Sequence, residues 1–472
     1  MKDVFEISAD NLSPVILKGF KNLFFRHVMG FLIHFTGSLI LARKLGPEIM
    51  GLYFISYTVF MVLRGVIDFG LQTHFIRLQN APSHEEVSVA FTFQLIIAIV
   101  CVILIFLISP LISNWYNQKS LIILIISAGV GAFFYIFNSI PVSFLERKLE
   151  YNKVGVIEVG EFLVFNLVAV IFVFCGMGIL GLVLGNILRG IFPSVLAMIY
   201  TGFVPKISTD KKIFKDLFKQ VSQIFYMNIT VYAIMLAPVV LLAKLYSVGE
   251  YGLAQMAYTF LGYTMVIPSI FKRIGLTVLA RVQDEEEKFN KLTYNFILLL
   301  SAGYVPLVMA VSAFSSIWIP FVYGQKWAGM DKVLMLASIP VCAGALFSIL
   351  HSALLSKGQY GIVLKQNILH LVVYWMALMF LAEIGASSVP ITHIISMMAA
   401  SYLFIYGYNK YCGKIKYGHI TILFVVSTII LVLSFILIKN NQIIASIILW
   451  VVFLVYLIND IISSCISFFK DI

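Results

Sequence analysis

Along most of this chain the apolar positions run together, with no alternation and only a few polar interruptions. The segment 419–438, HITILFVVSTIILVLSFILI, is apolar on every face of a helix. A helix that is hydrophobic all round belongs in a large protein core or in a bilayer. Runs of about 20 such residues, rising 1.5 Å per residue, cover the roughly 30 Å of hydrocarbon in a membrane. The pattern predicts about 14 transmembrane helices, at approximately 22–42, 50–70, 88–109, 119–140, 154–174, 178–200, 223–243, 251–271, 292–313, 331–355, 361–381, 387–408, 419–438 and 442–463. The fold class expected is therefore an all-α polytopic membrane protein.

The segments between these runs are short, the longest lying near 201–222, 272–291 and 314–330. Of the 33 Lys and Arg residues, 24 fall on the side of the two termini and only seven on the other. Positive loops resist translocation, so both termini are expected in the cytoplasm of a bacterial inner membrane. The first apolar run starts near Asn22 and exceeds the length of a signal-peptide core, so it is expected to stay as an anchor. The loop KISTDKKIFKDLFKQ (206–220) places Ile213, Phe214, Leu217 and Phe218 at helical spacing among lysines, as in a helix lying in the interface plane.

Composition agrees with the pattern. Of the 472 residues 61% are hydrophobic and 12% charged, about half the charged share of a soluble domain. The net charge of +11 does not point to nucleic acid, because the basic residues sit where topology demands them. The five cysteines are scattered with no CxxC pair, so neither a disulfide framework nor a metal site is expected.

An internal repeat divides the chain. Ala42, Gly51-Leu52 and Tyr57-Thr58 line up with Ala243, Gly252-Leu253 and Tyr258-Thr259 at a constant offset of 201. Leu145, Lys148 and Tyr151 line up with Leu354, Lys357 and Tyr360 at an offset of 209. Six spans separate the partners, so the copies run in the same direction. The expected organisation is an N-terminal lobe (1–205, helices 1–6), an amphipathic linker helix (206–222), a pseudo-symmetric C-terminal lobe (223–408, helices 7–12) and two appended helices (409–472). Repeats of this kind mark transporters that work by alternating access.

Ionisable residues inside a membrane are costly and mark function or pairing. Here they concentrate in the first lobe: Arg26 in span 1, Arg64 and Asp68 in span 2, Glu158 and Glu161 in span 5, and Arg189 in the middle of span 6. Arg26, Arg64 and Arg189 are the candidate lining of a cationic cavity between the lobes. Arginine suits a phosphate group because its planar fork binds two oxygens and keeps its charge. Asp68, Glu158 and Glu161 are candidates for ion coupling or for charge pairing. Arg64 and Asp68, four apart on one helix, can neutralise each other, and Arg189 can pair with Glu158 or Glu161. His34, His351, His370 and His393 are expected as hydrogen-bonded packing residues. No catalytic residue and no metal ligand set is expected.

The stretches ARKLGPEIMGLYFISYTVF and IDFGLQTHFIRLQ resemble the first two spans of Wzx-type polysaccharide flippases, within the multidrug/oligosaccharidyl-lipid/polysaccharide exporter superfamily. The segments PVSFLERKLEYNKVGVIE, IGLTVLARVQDEEEKFNKLTY, FVYGQKWAGMDKVLMLAS and LLSKGQY agree in order. One letter departs, Thr277 standing where the family often has proline. The resemblance implies a MATE-like fold with two pseudo-symmetric lobes and alternating access; no cofactor is expected, and coupling to protons, sodium or the membrane potential stays open. The resemblance also implies an undecaprenyl-pyrophosphate-linked oligosaccharide as substrate, with membrane lipids, a polysaccharide polymerase and chain-length proteins as partners. A MATE-type drug or cation antiporter is the alternative on the same fold, and the intramembrane arginines argue against it. A membrane polysaccharide polymerase is the alternative of another class, and no long periplasmic loop is present to serve one.

Overall fold

The computed structural model describes residues 12–78, 81–148 and 150–471, with the backbone path alone at 12–29, 31, 223, 227, 273, 277, 281 and 459–471. The side chains of Arg26 and Thr277 therefore lie outside the described residues. Among the described residues the chain is helical throughout, with no strand.

The first part of the chain comprises α1 (Leu12–Asp68), α2 (Leu71–Arg77), α3 (His84–Tyr116), α4 (Ser120–Phe134), α5 (Ile136–Arg147), α6 (Tyr151–Phe174), α7 (Gly178–Thr201) and α8 (Lys211–Val240). The second part comprises α9 (Leu242–Leu245), α10 (Val248–Thr264), α11 (Val266–Arg281), α12 (Glu286–Leu299), α13 (Val305–Ala313), α14 (Ser315–Val322), α15 (Met330–Ser356), α16 (Tyr360–Leu381), α17 (Ser388–Tyr411), α18 (Gly418–Lys439) and α19 (Ile443–Asp471).

Two compact units result. One contains Met1–Leu45 and Leu52–Tyr232; the other contains Ala233–Ile472 and the short segment Gly46–Gly51. The expected amphipathic linker and span 7 run on as the single helix α8, which passes from the first unit into the second.

Among the described residues nine helical tracts are long and apolar enough to cross a membrane, or eleven when each of two bent pairs counts as one span. Two of the nine cover two expected spans each. The tract Leu32–Asp68 is broken at Gly46, whose φ of 77° lies outside the helical region and is followed by Pro47. The tract Tyr360–Tyr411 is broken at Gly385. The bent pairs are α4 with α5, at 44°, and α10 with α11, at 51°. With the shorter apolar helix Ile443–Ile458, this arrangement is consistent with the expected count.

In the first unit a core forms where Phe60 and Ile67 of α1 meet Phe75 of α2, Phe91 of α3 and Ala128 of α4. The approach of α4 to α7 is closer still. A β-carbon added at Gly190 would lie 2.0 Å from the carbonyl oxygen of Gly131, so the two backbones touch. Small residues at such crossings are how membrane helices pack without a hydrophobic drive between them. The contact also fixes Arg189, the next residue back along α7.

Candidate functional site

The second half of α1 presents one face built from Tyr53, Tyr57, Phe60, Arg64 and Asp68, at steps of four, three, four and four. Those steps keep side chains on one side of a helix. Opposite this face stand Glu161 on α6 and Arg189 on α7. Glu161 accepts from both arginines: Arg64 Nη1 lies 3.2 Å from Oε2, and Arg189 Nη2 lies 3.1 Å from Oε1. One carboxylate thus joins two guanidinium groups from different helices.

The two arginines differ in access. The side chain of Arg189 is 2% exposed and that of Arg64 is 29% exposed. The Arg189 guanidinium lies 4.8, 4.7 and 5.1 Å from the ring centres of Tyr57, Phe60 and Phe165. Its Nη1 donates to the Tyr53 hydroxyl at 3.5 Å. Aromatic faces carry partial negative charge, so they stabilise a desolvated cation. Arg64 lies 4.2 Å from the Tyr135 ring at the α4–α5 bend. The triad of Arg64, Glu161 and Arg189 carries a formal charge of +1, and Arg64 is its accessible cation.

Asp68 has different partners from those its spacing suggests. No ion pair with Arg64 is present among the described residues. Phe69 and Gly70 take positive φ values of 50° and 84°, which ends α1 and leaves backbone amides exposed at the turn. Asp68 accepts from two of them, Gly70 N at 3.1 Å and Gln72 N at 3.2 Å, and from the Ser139 hydroxyl at 2.5 Å. Irregular backbone at membrane depth persists only where such groups are satisfied. Arg147 holds the other end of α2 by donating to the carbonyls of Phe75 and Leu78.

The structure therefore brings Arg64, Glu161 and Arg189 together and sets Asp68 just beyond them as a capping carboxylate. Glu158 is exposed on α6, and the Arg26 side chain lies outside the described residues. Sequence reasoning missed the aromatic wall around Arg189 and the polar pair Tyr135 and Ser139. The Tyr53–Tyr57–Phe60–Arg64 spacing was the available signal.

An all-α chain of paired units carrying a buried charge cluster within apolar spans is a multi-pass membrane protein of the MATE-like exporter architecture. "Lipid II flippase MurJ, inward closed conformation" superposes with a TM-score of 0.72 at 16% identity, over 94% of this chain and 100% of that one. An inward-facing multidrug resistance MATE transporter superposes with a TM-score of 0.63 at 15% identity, over 83% of this chain and 94% of that one. Residues 40–332 match the family described as polysaccharide biosynthesis protein, and the chain belongs to it. A relative, the lipopolysaccharide biosynthesis protein WzxC of Escherichia coli strain K12, is 22% identical over 347 residues, 70% of this chain and 67% of that protein.

Proposed function

We propose that this protein is a flippase. It moves an undecaprenyl-pyrophosphate-linked glycan repeat unit from the cytoplasmic to the periplasmic leaflet of a bacterial inner membrane, by alternating access. The family membership and the name of WzxC support polysaccharide precursor as the cargo class. The MurJ likeness supports the architecture. The observation that carries the reading is Arg64, a part-exposed guanidinium within a membrane span, tethered to a carboxylate that a second, buried arginine already neutralises.

In this scheme Arg64 exchanges one Glu161 oxygen for the pyrophosphate of the substrate, and Arg189 keeps Glu161 in place while it does so. A bidentate guanidinium–phosphate contact is stronger than a neutral hydrogen bond. After release on the far side, Glu161 recaptures Arg64, so the empty carrier does not hold an unpaired buried charge. Arg26 is proposed to extend the same basic lining. Proteoliposomes loaded with the lipid-linked glycan, and read by glycan exposure on the far leaflet, test this. Wild type transfers the glycan, Arg64→Ala loses at least tenfold in rate, and Arg64→Lys falls between them. An Arg64→Ala rate equal to wild type, or export of organic cations without glycan transfer, removes the proposal.

A further inference from the structure

The second unit holds a cavity of about 330 Å³ that the charge cluster of the first unit does not explain. That volume is at the small end of ligand sites. Its polar lining is Tyr258 of α10, Gln366 and His370 of α16, and His393 of α17. Among the described residues no Asp, Glu, Lys or Arg lines it. The Tyr258 hydroxyl and His393 Nδ1 lie 3.1 Å apart, and the two imidazole rings meet edge to face with centres 5.4 Å apart.

Gln366 is the informative residue. It is only 7% exposed, and among the described residues its amide makes no hydrogen bond. Gln366 lines the cavity, so its amide is free to bond to whatever occupies it. An amide offers both donor and acceptor, as do the phenol and the imidazoles. The remaining lining, including Pro340 and Met397, is apolar. Gly262 adds room, since a β-carbon there would meet nothing within 4 Å.

We infer that this cavity binds an uncharged, hydroxyl-rich ring, that is, one sugar unit of the transported glycan. A sugar hydroxyl donates and accepts, matching the mixed lining, while its C–H faces suit the apolar wall and the rings. An ionic group finds no counter-charge here, whereas the first unit offers Arg64. The two units thus offer different chemistry, charge in the first and neutral polar groups in the second. This assignment rests on the proposed function for the identity of the sugar-bearing ligand.

The test uses the full-length protein in lipid nanodiscs and a panel of glucose, galactose, N-acetylglucosamine and rhamnose, read by saturation-transfer NMR. At least one sugar is expected to receive magnetisation from wild type. That signal is expected to fall at least fivefold in Gln366→Leu, which removes both polar groups at similar volume, and in Gly344→Leu, which fills the cavity. Melting curves of both variants identify a folding failure, and the better-folded one then decides. No signal from any of the four sugars, or a signal that survives the substitutions, overturns the inference. Sugar binding without lipid-linked transfer would sink the flippase reading and leave the sugar site standing. Transfer without sugar binding would do the reverse.

Discussion

Glu161 divides its two oxygens between Arg64 and Arg189, and the two bonds carry different burdens. Arg189 is sealed among three rings, so deleting it strips Glu161 of one buried partner and opens a void. Removing one member of a buried pair costs about 3–5 kcal/mol. Arg189→Ala is therefore expected to lower the thermal midpoint and the yield of monodisperse protein. Arg64→Ala, at the exposed end of the triad, is expected to retain most of the midpoint and to fail in transport. Size-exclusion thermal scans beside the flipping assay check both, and the opposite ranking would exchange the roles of the two arginines. The sequence made the need for a partner legible but left its identity open. Glu158 and Glu161 sit on adjoining rows of α6, and only packing against α7 selects the row that faces Arg189. The spacing of Arg64 and Asp68 suggested a local pair, which does not form because α1 ends at Asp68. Its carboxylate turns forward to the amides of the next helix instead.

At the scale of elements, the repeat was visible in the letters for a physical reason. Gly51 and Gly252, the matching glycines of the two copies, stand at one crossing inside the second unit. A β-carbon on Gly51 would come within 2.2 Å of the Val248 carbonyl oxygen, and one on Gly252 within 2.2 Å of the Pro47 carbonyl oxygen. Neither backbone can yield without shifting a helix, and overpacking of this kind costs about 1–3 kcal/mol. Gly252→Ala is expected to lower the melting midpoint. Gly361→Ala, in the exposed first turn of α16 with nothing within 4 Å of the new carbon, is expected to hold or slightly raise it, since alanine favours the helix over glycine. Equal effects at the two sites would mean that this crossing does not limit the stability of the second unit. The apolar runs themselves were easy to read, because lipid demands long uninterrupted spans. Their breaks were not. The break at Gly46, followed by Pro47, is the exception and falls between two expected spans; the bend after Phe134 and the continuity of the basic stretch 211–219 with the apolar part of α8 depend on tertiary partners that no local pattern reports.

At the scale of the whole molecule, direction of transport follows from topology and driving force together. The Lys/Arg bias predicts that a cysteine at Gln325 reacts with an impermeant thiol reagent from the periplasm and that one at Lys212 does not. The inverse labelling pattern would reverse the orientation and with it the proposed direction. A pyrophosphate carries roughly two negative charges, and moving each across 100 mV is worth about 2.3 kcal/mol. An inside-negative potential therefore favours outward transfer by roughly 4–5 kcal/mol. The carrier's own charges cancel over a full cycle and set only how the potential divides between the loaded and the empty step. Arg64, Arg189, Glu161 and Asp68 sum to zero, so this cluster in its empty state moves no net charge against the field on its return. Flipping in proteoliposomes is therefore expected to accelerate with an inside-negative potassium diffusion potential when no proton or sodium gradient is present. Neutralising the cluster unevenly sharpens the test. Glu161→Gln leaves the carrier one positive charge richer, and an inside-negative field resists outward movement of that charge in the loaded step. Its rate is expected to respond less steeply to potential than that of wild type. A wild-type rate indifferent to potential but dependent on pH or sodium would replace this scheme with obligatory antiport through the carboxylates.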